Sequence, residues 1–109
     1  EALFIRGGRF VDRLRFARLL EGDYAALDEL SGTPLGELAG VRDLKELERK
    51  LRCILLKEAR KGTADPLGAG LVLAYVKERE WEAMRLRLLA RRAYFGLPRD
   101  LVEEEVTCA

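Results

Sequence analysis

Histidine, asparagine and glutamine are absent from this chain, and Ser31 is its one serine. Each absence removes a class of function. Without histidine there is no side chain that shuttles protons near neutral pH and no imidazole ligand for a metal. With almost no hydroxyl nucleophile and no base to activate one, covalent catalysis lacks its parts. Cysteine is nearly as scarce. Cys53 and Cys108 form no CxxC pair, so no zinc site is expected. Both read as small hydrophobes in a reducing compartment. The longest apolar run, Leu67 to Val76, is far short of the roughly 20 residues that cross a bilayer. No leader pattern is visible, and the first residue, Glu1, is what a piece of a longer protein would show. The expectation is no catalytic residue, no cofactor, no metal and no transmembrane segment.

What is present is a globular composition. Of 109 residues, 49% are hydrophobic and 36% charged, which is enough apolar material for a core and too much for a disordered chain. The formal net charge of +1 gives no whole-chain attraction to nucleic acid or to an anionic membrane. Missing amides beside abundant Glu, Arg and Leu fit a heat-loving source.

Glycine and proline punctuate the chain into helical blocks. After Gly7-Gly8, the residues Phe10, Leu14 and Ala17 recur at helical spacing over Arg9 to Leu20. Asp23 is a good N-cap for a short helix from Tyr24 to Leu30, and Thr33-Pro34 opens a brief turn ending near Gly40. From Asp43, the stripe Leu44, Leu47, Leu51, Ile54, Leu55 and Ala59 predicts a helix to about Lys61. Glu46–Lys50 and Glu48–Arg52 support it as acid-first pairs. Asp65-Pro66 introduces the longest segment, Leu67 to about Phe95, closed by Gly96 and Pro98. That helix is apolar on two sides. The broader side holds Leu71, Val72, Tyr75, Leu86, Leu89, Ala90 and Ala93, and the narrower holds Leu73, Trp81, Met84 and Leu88. Two apolar sides predict a central helix packed between neighbours. A last short helix covers Arg99 to Glu105. No segment alternates as a strand. The expected fold is all-α, a single domain over residues 1–109 with five to six helices around one long central helix.

The charged residues of the long helix admit more than one role. Glu78, Glu80 and Glu82 with Asp65 could hold a cation, but Arg79 and Arg85 lie three residues to either side of Glu82. An ion-pair network of Arg79, Glu82 and Arg85 is the simpler reading, with Arg79 and Glu82 partly buried because they fall on the broader apolar side. Arg85, Arg87, Arg91 and Arg92, beside Tyr94 and Phe95, form the most basic stretch. A small nucleic-acid-binding or regulatory adaptor could use it. The acidic residues a turn or two away weaken that field. Arg87, Arg91 and Arg92 are better suited to an acidic protein partner, because the planar guanidinium pairs with carboxylates through two bonds. Gly68-Ala69-Gly70, with no strand before it, reads as small residues that permit close helix packing.

These residues carry a resemblance. Pro66-Leu67-Gly68, then Leu73-Ala74-Tyr75-Val76-Lys77-Glu78-Arg79-Glu80-Trp81, Met84-Arg85-Leu86 and Gly96-Leu97-Pro98 resemble the C-terminal signature of the C subunits of V-type and archaeal-type ATPases, whose eukaryotic counterparts are the d subunits. The matching positions are Tyr75, Lys77, Glu78, Glu80, Arg85, Gly96 and Pro98. Gly8-Arg9-Phe10-Val11 and Leu30-Ser31-Gly32-Thr33-Pro34 are similar to the last domain of Thermus-type members. Ala83 stands where the family usually has Asn, and Trp81 where it has Val or Ile, which implies repacking around the long helix. The resemblance implies the last of three similar helical domains in a non-catalytic rotor spacer. Such a spacer links the rotor shaft, made of the D and F subunits, to the membrane rotor ring of proteolipid subunits on the cytoplasmic side. It passes torque between proton translocation and ATP synthesis or hydrolysis. The resemblance implies no nucleic-acid partner.

Overall fold

The computed structural model describes residues 3–108. Among them are four α-helices and three 3₁₀ segments, with no strand. The contacts gather into two compact units, residues 1–54 and 55–109.

In the first unit, α1 (Arg13–Leu20) starts four residues later than the apolar spacing predicts. The Asp12 carboxylate sets that start by accepting the Arg15 amide at 2.8 Å, which satisfies a donor the helix leaves free. Asp23 does the same for the Ala25 amide at 3.2 Å, opening the 3₁₀ segment Tyr24–Leu30. The Thr33 hydroxyl donates to the Leu30 carbonyl at 2.6 Å and accepts from the Leu35 amide at 3.1 Å, which turns the chain into a second 3₁₀ segment, Gly36–Leu38. These short turns fold around Leu27, Leu30, Leu38, Val41 and Ile54, a core flanked by Phe10, Tyr24 and Leu51.

A charged net braces the same turns. Arg18 bonds Glu29 at 2.7 Å and Asp23 at 2.9 Å. Asp28 accepts from the Gly40 amide at 2.8 Å and from Arg42 at 2.7 Å. Arg42 and then the Gly40 amide hold the Asp28 carboxyl below the ordinary carboxylate range. A depressed carboxylate contributes stability above its unfolded-state pKa and loses it as pH falls through the folded value. Asp28→Asn is therefore expected to narrow the gap between urea midpoints measured at about pH 6 and about pH 3, with helix content by circular dichroism as the readout.

Helix α2 (Leu44–Arg60) belongs to the first unit up to Ile54 and to the second from Leu55. Of its predicted apolar stripe, Ile54 and Ala59 are buried and Leu47 and Leu51 half-buried, while Leu44, in the first turn, and Leu55 are exposed and Leu56 is buried instead. Lys50 lies 3.5 Å from Glu46, four residues before it.

The second unit continues with a 3₁₀ segment, Lys61–Ala64, then α3 (Ala69–Phe95) and α4 (Arg99–Val106). The 3₁₀ segment and α4 both pack against α3. The approach to the 3₁₀ segment is backbone on backbone. A Cβ on Gly70 would stand 3.0 Å from the Gly62 Cα, and one on Gly62 would overlap the Gly70 carbonyl. Gly62→Ala is expected to cost about 1–3 kcal/mol, the usual penalty for overpacking, read as a lowered urea midpoint with an unchanged slope. Gly96 adopts the left-handed conformation at φ 63° that ends α3, and Pro98 leads into α4.

Helix α3 is unbroken over 27 residues, as a long central element should be, but it is not clasped on both sides. Its buried residues, Ala74 and Trp81, lie on the narrower side, with Lys77, Met84 and Leu88 half-buried nearby. The broader side, including Val72, Tyr75, Leu86 and Leu89, is exposed. The physical reason is supply: among the described residues the elements that pack on α3, the 3₁₀ segment and α4, leave most of the broader side bare. The cysteines also depart from the reduced state expected of them. Neither is a free thiol, and Cys53 and Cys108 are both disulfide-bonded. Spacing in a sequence carries no signal for such bonding.

Candidate functional surface

The residues singled out in the sequence fall on α3 and its C-terminal turn, and the helix sorts them by angle. Tyr75 is exposed, and the Arg79 guanidinium stands 5.5 Å from its ring centre. Arg79 also pairs with Glu82 at 2.7 Å. Their side chains remain 59% and 54% exposed, so the pair is a surface pair rather than the partly buried one expected. The broader side is mostly exposed, so both charges stay in water and bear little desolvation cost. Arg85 takes no part. Its guanidinium makes no ion pair among the described residues, because Glu82 is engaged with Arg79.

Lys77 reaches Glu80 at 3.0 Å, one turn along. Glu78 is held by Arg60 of α2, with a second contact from Arg60 Nη2 to Oε2 at 3.3 Å. Arg60 keeps the Glu78 carboxyl below the ordinary carboxylate range. Sequence reasoning misses this link between α2 and α3, because the last-turn position of Arg60 points only to the helix dipole. Among the described residues no group of His, Cys, Asp or Glu could hold a metal ion.

Beside the Glu78–Arg60 pair lies an apolar groove of about 550 Å³, lined by Thr63, Leu71, Val72, Ala74, Tyr75 and Arg79 together with Glu78. Beyond it, the C-terminal half of α3 carries Arg85, Arg87, Arg91 and Arg92, none with an ion-pair partner among the described residues. Arg92 Nε is enclosed without an acceptor. Most other arginines of the chain are engaged, Arg15, Arg18, Arg42, Arg60, Arg79 and Arg99 among them. The arrangement offers a partly apolar helix surface edged with guanidinium groups that make no ion pair among the described residues.

The family described as ATP synthase (C/AC39) subunit matches residues 1–105. The chain belongs to that family. Two strains of Thermus thermophilus hold proteins named as the C subunit of V-type ATP synthase that are 80% and 79% identical to it over 108 residues, or 99% of the chain. A Deinococcus radiodurans protein of the same name is 31% identical over 105 residues, or 95% of the chain. The chain spans about a third of the length of these C/AC39 relatives, 33% of either Thermus protein and 28% of the Deinococcus one. Among the described residues, no helix is long and apolar enough to cross a membrane.

Proposed function

We propose that this chain is the C-terminal third of a three-domain rotor spacer that links the D and F subunits of the rotor shaft to the membrane rotor ring. In this role it sits peripherally on the cytoplasmic side and passes torque between proton translocation and ATP synthesis or hydrolysis. It catalyses no step itself. The observation that carries the reading is 80% identity over 99% of the chain to a protein named as a V-type ATP synthase C subunit. The physical character of the chain agrees with it. A torque coupler needs stiffness, and an unbroken 27-residue helix, cross-linked to α2 by Arg60 and Glu78 and seated on a glycine-to-glycine backbone contact, supplies it. The family-signature residues Tyr75, Lys77, Glu78, Glu80, Arg85, Gly96 and Pro98 act as framework and surface, and Arg87, Arg91 and Arg92 as partner contacts. The test is reconstitution of the full-length spacer with purified shaft and ring. Joint recovery of shaft and ring only when the spacer is present is expected. Assembly of shaft and ring at full yield without it overturns the proposal.

A further inference from the structure

The exposed side of α3 has a regularity beyond its apolar content. Val72, Tyr75, Arg79, Glu82, Leu86 and Leu89 are separated alternately by three and four residues, and all six are exposed. That 3-4 alternation is the spacing by which one helix packs along another in a coiled coil. At the middle of the seam, Arg79 and Glu82 already pair with each other at 2.7 Å, so an incoming helix need not neutralise them. One flank is small and apolar, with Val76, Ala83 and Ala90. The other flank carries Arg85 and Arg92, seven residues apart and each without an ion-pair partner among the described residues.

We infer that this seam docks an amphipathic helix of another protein in the assembly, one whose aliphatic residues follow the same 3-4 spacing and whose edge bears carboxylates facing Arg85 and Arg92. Flank residues of this kind set partner choice in coiled coils, and two unneutralised arginines select for acid. A second copy of this chain fits less well. Running antiparallel with Arg79 facing the Glu82 of its mate, it would set Arg92 against Leu71 and require Glu78 for Arg85, while Arg60 already holds Glu78. A nucleic-acid strand would neutralise the arginines but leave Leu86 and Leu89, 61% and 46% exposed, uncovered. The inference deepens the rotor reading and rests on it only for the existence of a multi-subunit assembly.

The test uses the full-length protein and two synthetic helical peptides that share a 3-4 leucine repeat and differ in bearing glutamate or lysine along one edge. Fluorescence anisotropy is expected to give at least tenfold tighter binding of the glutamate peptide. The double variant Arg85→Glu/Arg92→Glu is expected to reverse that preference. Leu86→Glu is expected to weaken both peptides at least tenfold, while circular dichroism shows unchanged helix content. Equal binding of the two peptides, binding of neither, or displacement of the glutamate peptide by single-stranded DNA overturns the inference. So does protection of the Leu86 and Leu89 side chains from hydroxyl-radical labelling in the free full-length protein, since its own chain would then be the occupant. None of these outcomes bears on recovery of shaft and ring, so the two proposals fail separately.

Discussion

Replacing Trp81 by alanine is expected to destabilise the chain by about 3–5 kcal/mol, the range for removing a large aromatic from a packed site. Trp81 is 8% exposed and sits midway along α3, on the one side of that helix that is covered. The other buried α3 residue, Ala74, is too small to compensate. Because most of the apolar surface of α3 faces water, the indole provides an unusually large part of what holds this helix to its unit. Small domains have roughly 5–15 kcal/mol of stability in all, so the loss threatens folding at moderate temperature. Urea unfolding followed by circular dichroism measures it. Trp81→Phe, which keeps an aromatic ring, is expected to lose less. A Trp81→Ala cost below about 1 kcal/mol contradicts the assignment of Trp81 as the anchor.

That anchor also marks the boundary of what the sequence could disclose. Helix ends are legible wherever a local device fixes them. Asp23, Gly96 and Pro98 act at the predicted positions, because caps and left-handed glycines depend only on nearby backbone. The start of α1 is not legible in this way, because Phe10 and Val11 serve the core as loop residues while mimicking helical spacing. Periodicity reveals two apolar sides on α3 but not which is covered. It favours burial of the richer one, whereas the buried α3 residues, Ala74 and Trp81, lie on the narrower one and most of the richer one is exposed. Charge follows the same rule. The pairing of Arg79 with Glu82 is a three-residue relation that sequence supplies, while its exposure, the isolation of Arg85 and the reach of Arg60 to Glu78 depend on which helices meet. The candidate surface is therefore legible as residues and illegible as an interface, since exposure is a property of the fold.

Leu38→Ala is expected to cost about 2–5 kcal/mol, the range for emptying a buried leucine site, and to do its damage in the first unit. Leu38 is 2% exposed and, with Val41, is among the largest fully buried side chains. Its core has five members, so each missing methylene is a large share of the whole. Leu38 also ends the 3₁₀ segment Gly36–Leu38, which has no side-chain cap. Two residues on, the Gly40 amide is tied to Asp28, so loosening of Leu38 should reach that bond. Hydrogen exchange separates this from a uniform loss of stability. The Gly40 amide is expected to exchange faster relative to the α3 amides in the variant than in the parent. Equal acceleration at all sites would mean that the turns open only with the whole chain, and the five-residue core would not be an independent source of order.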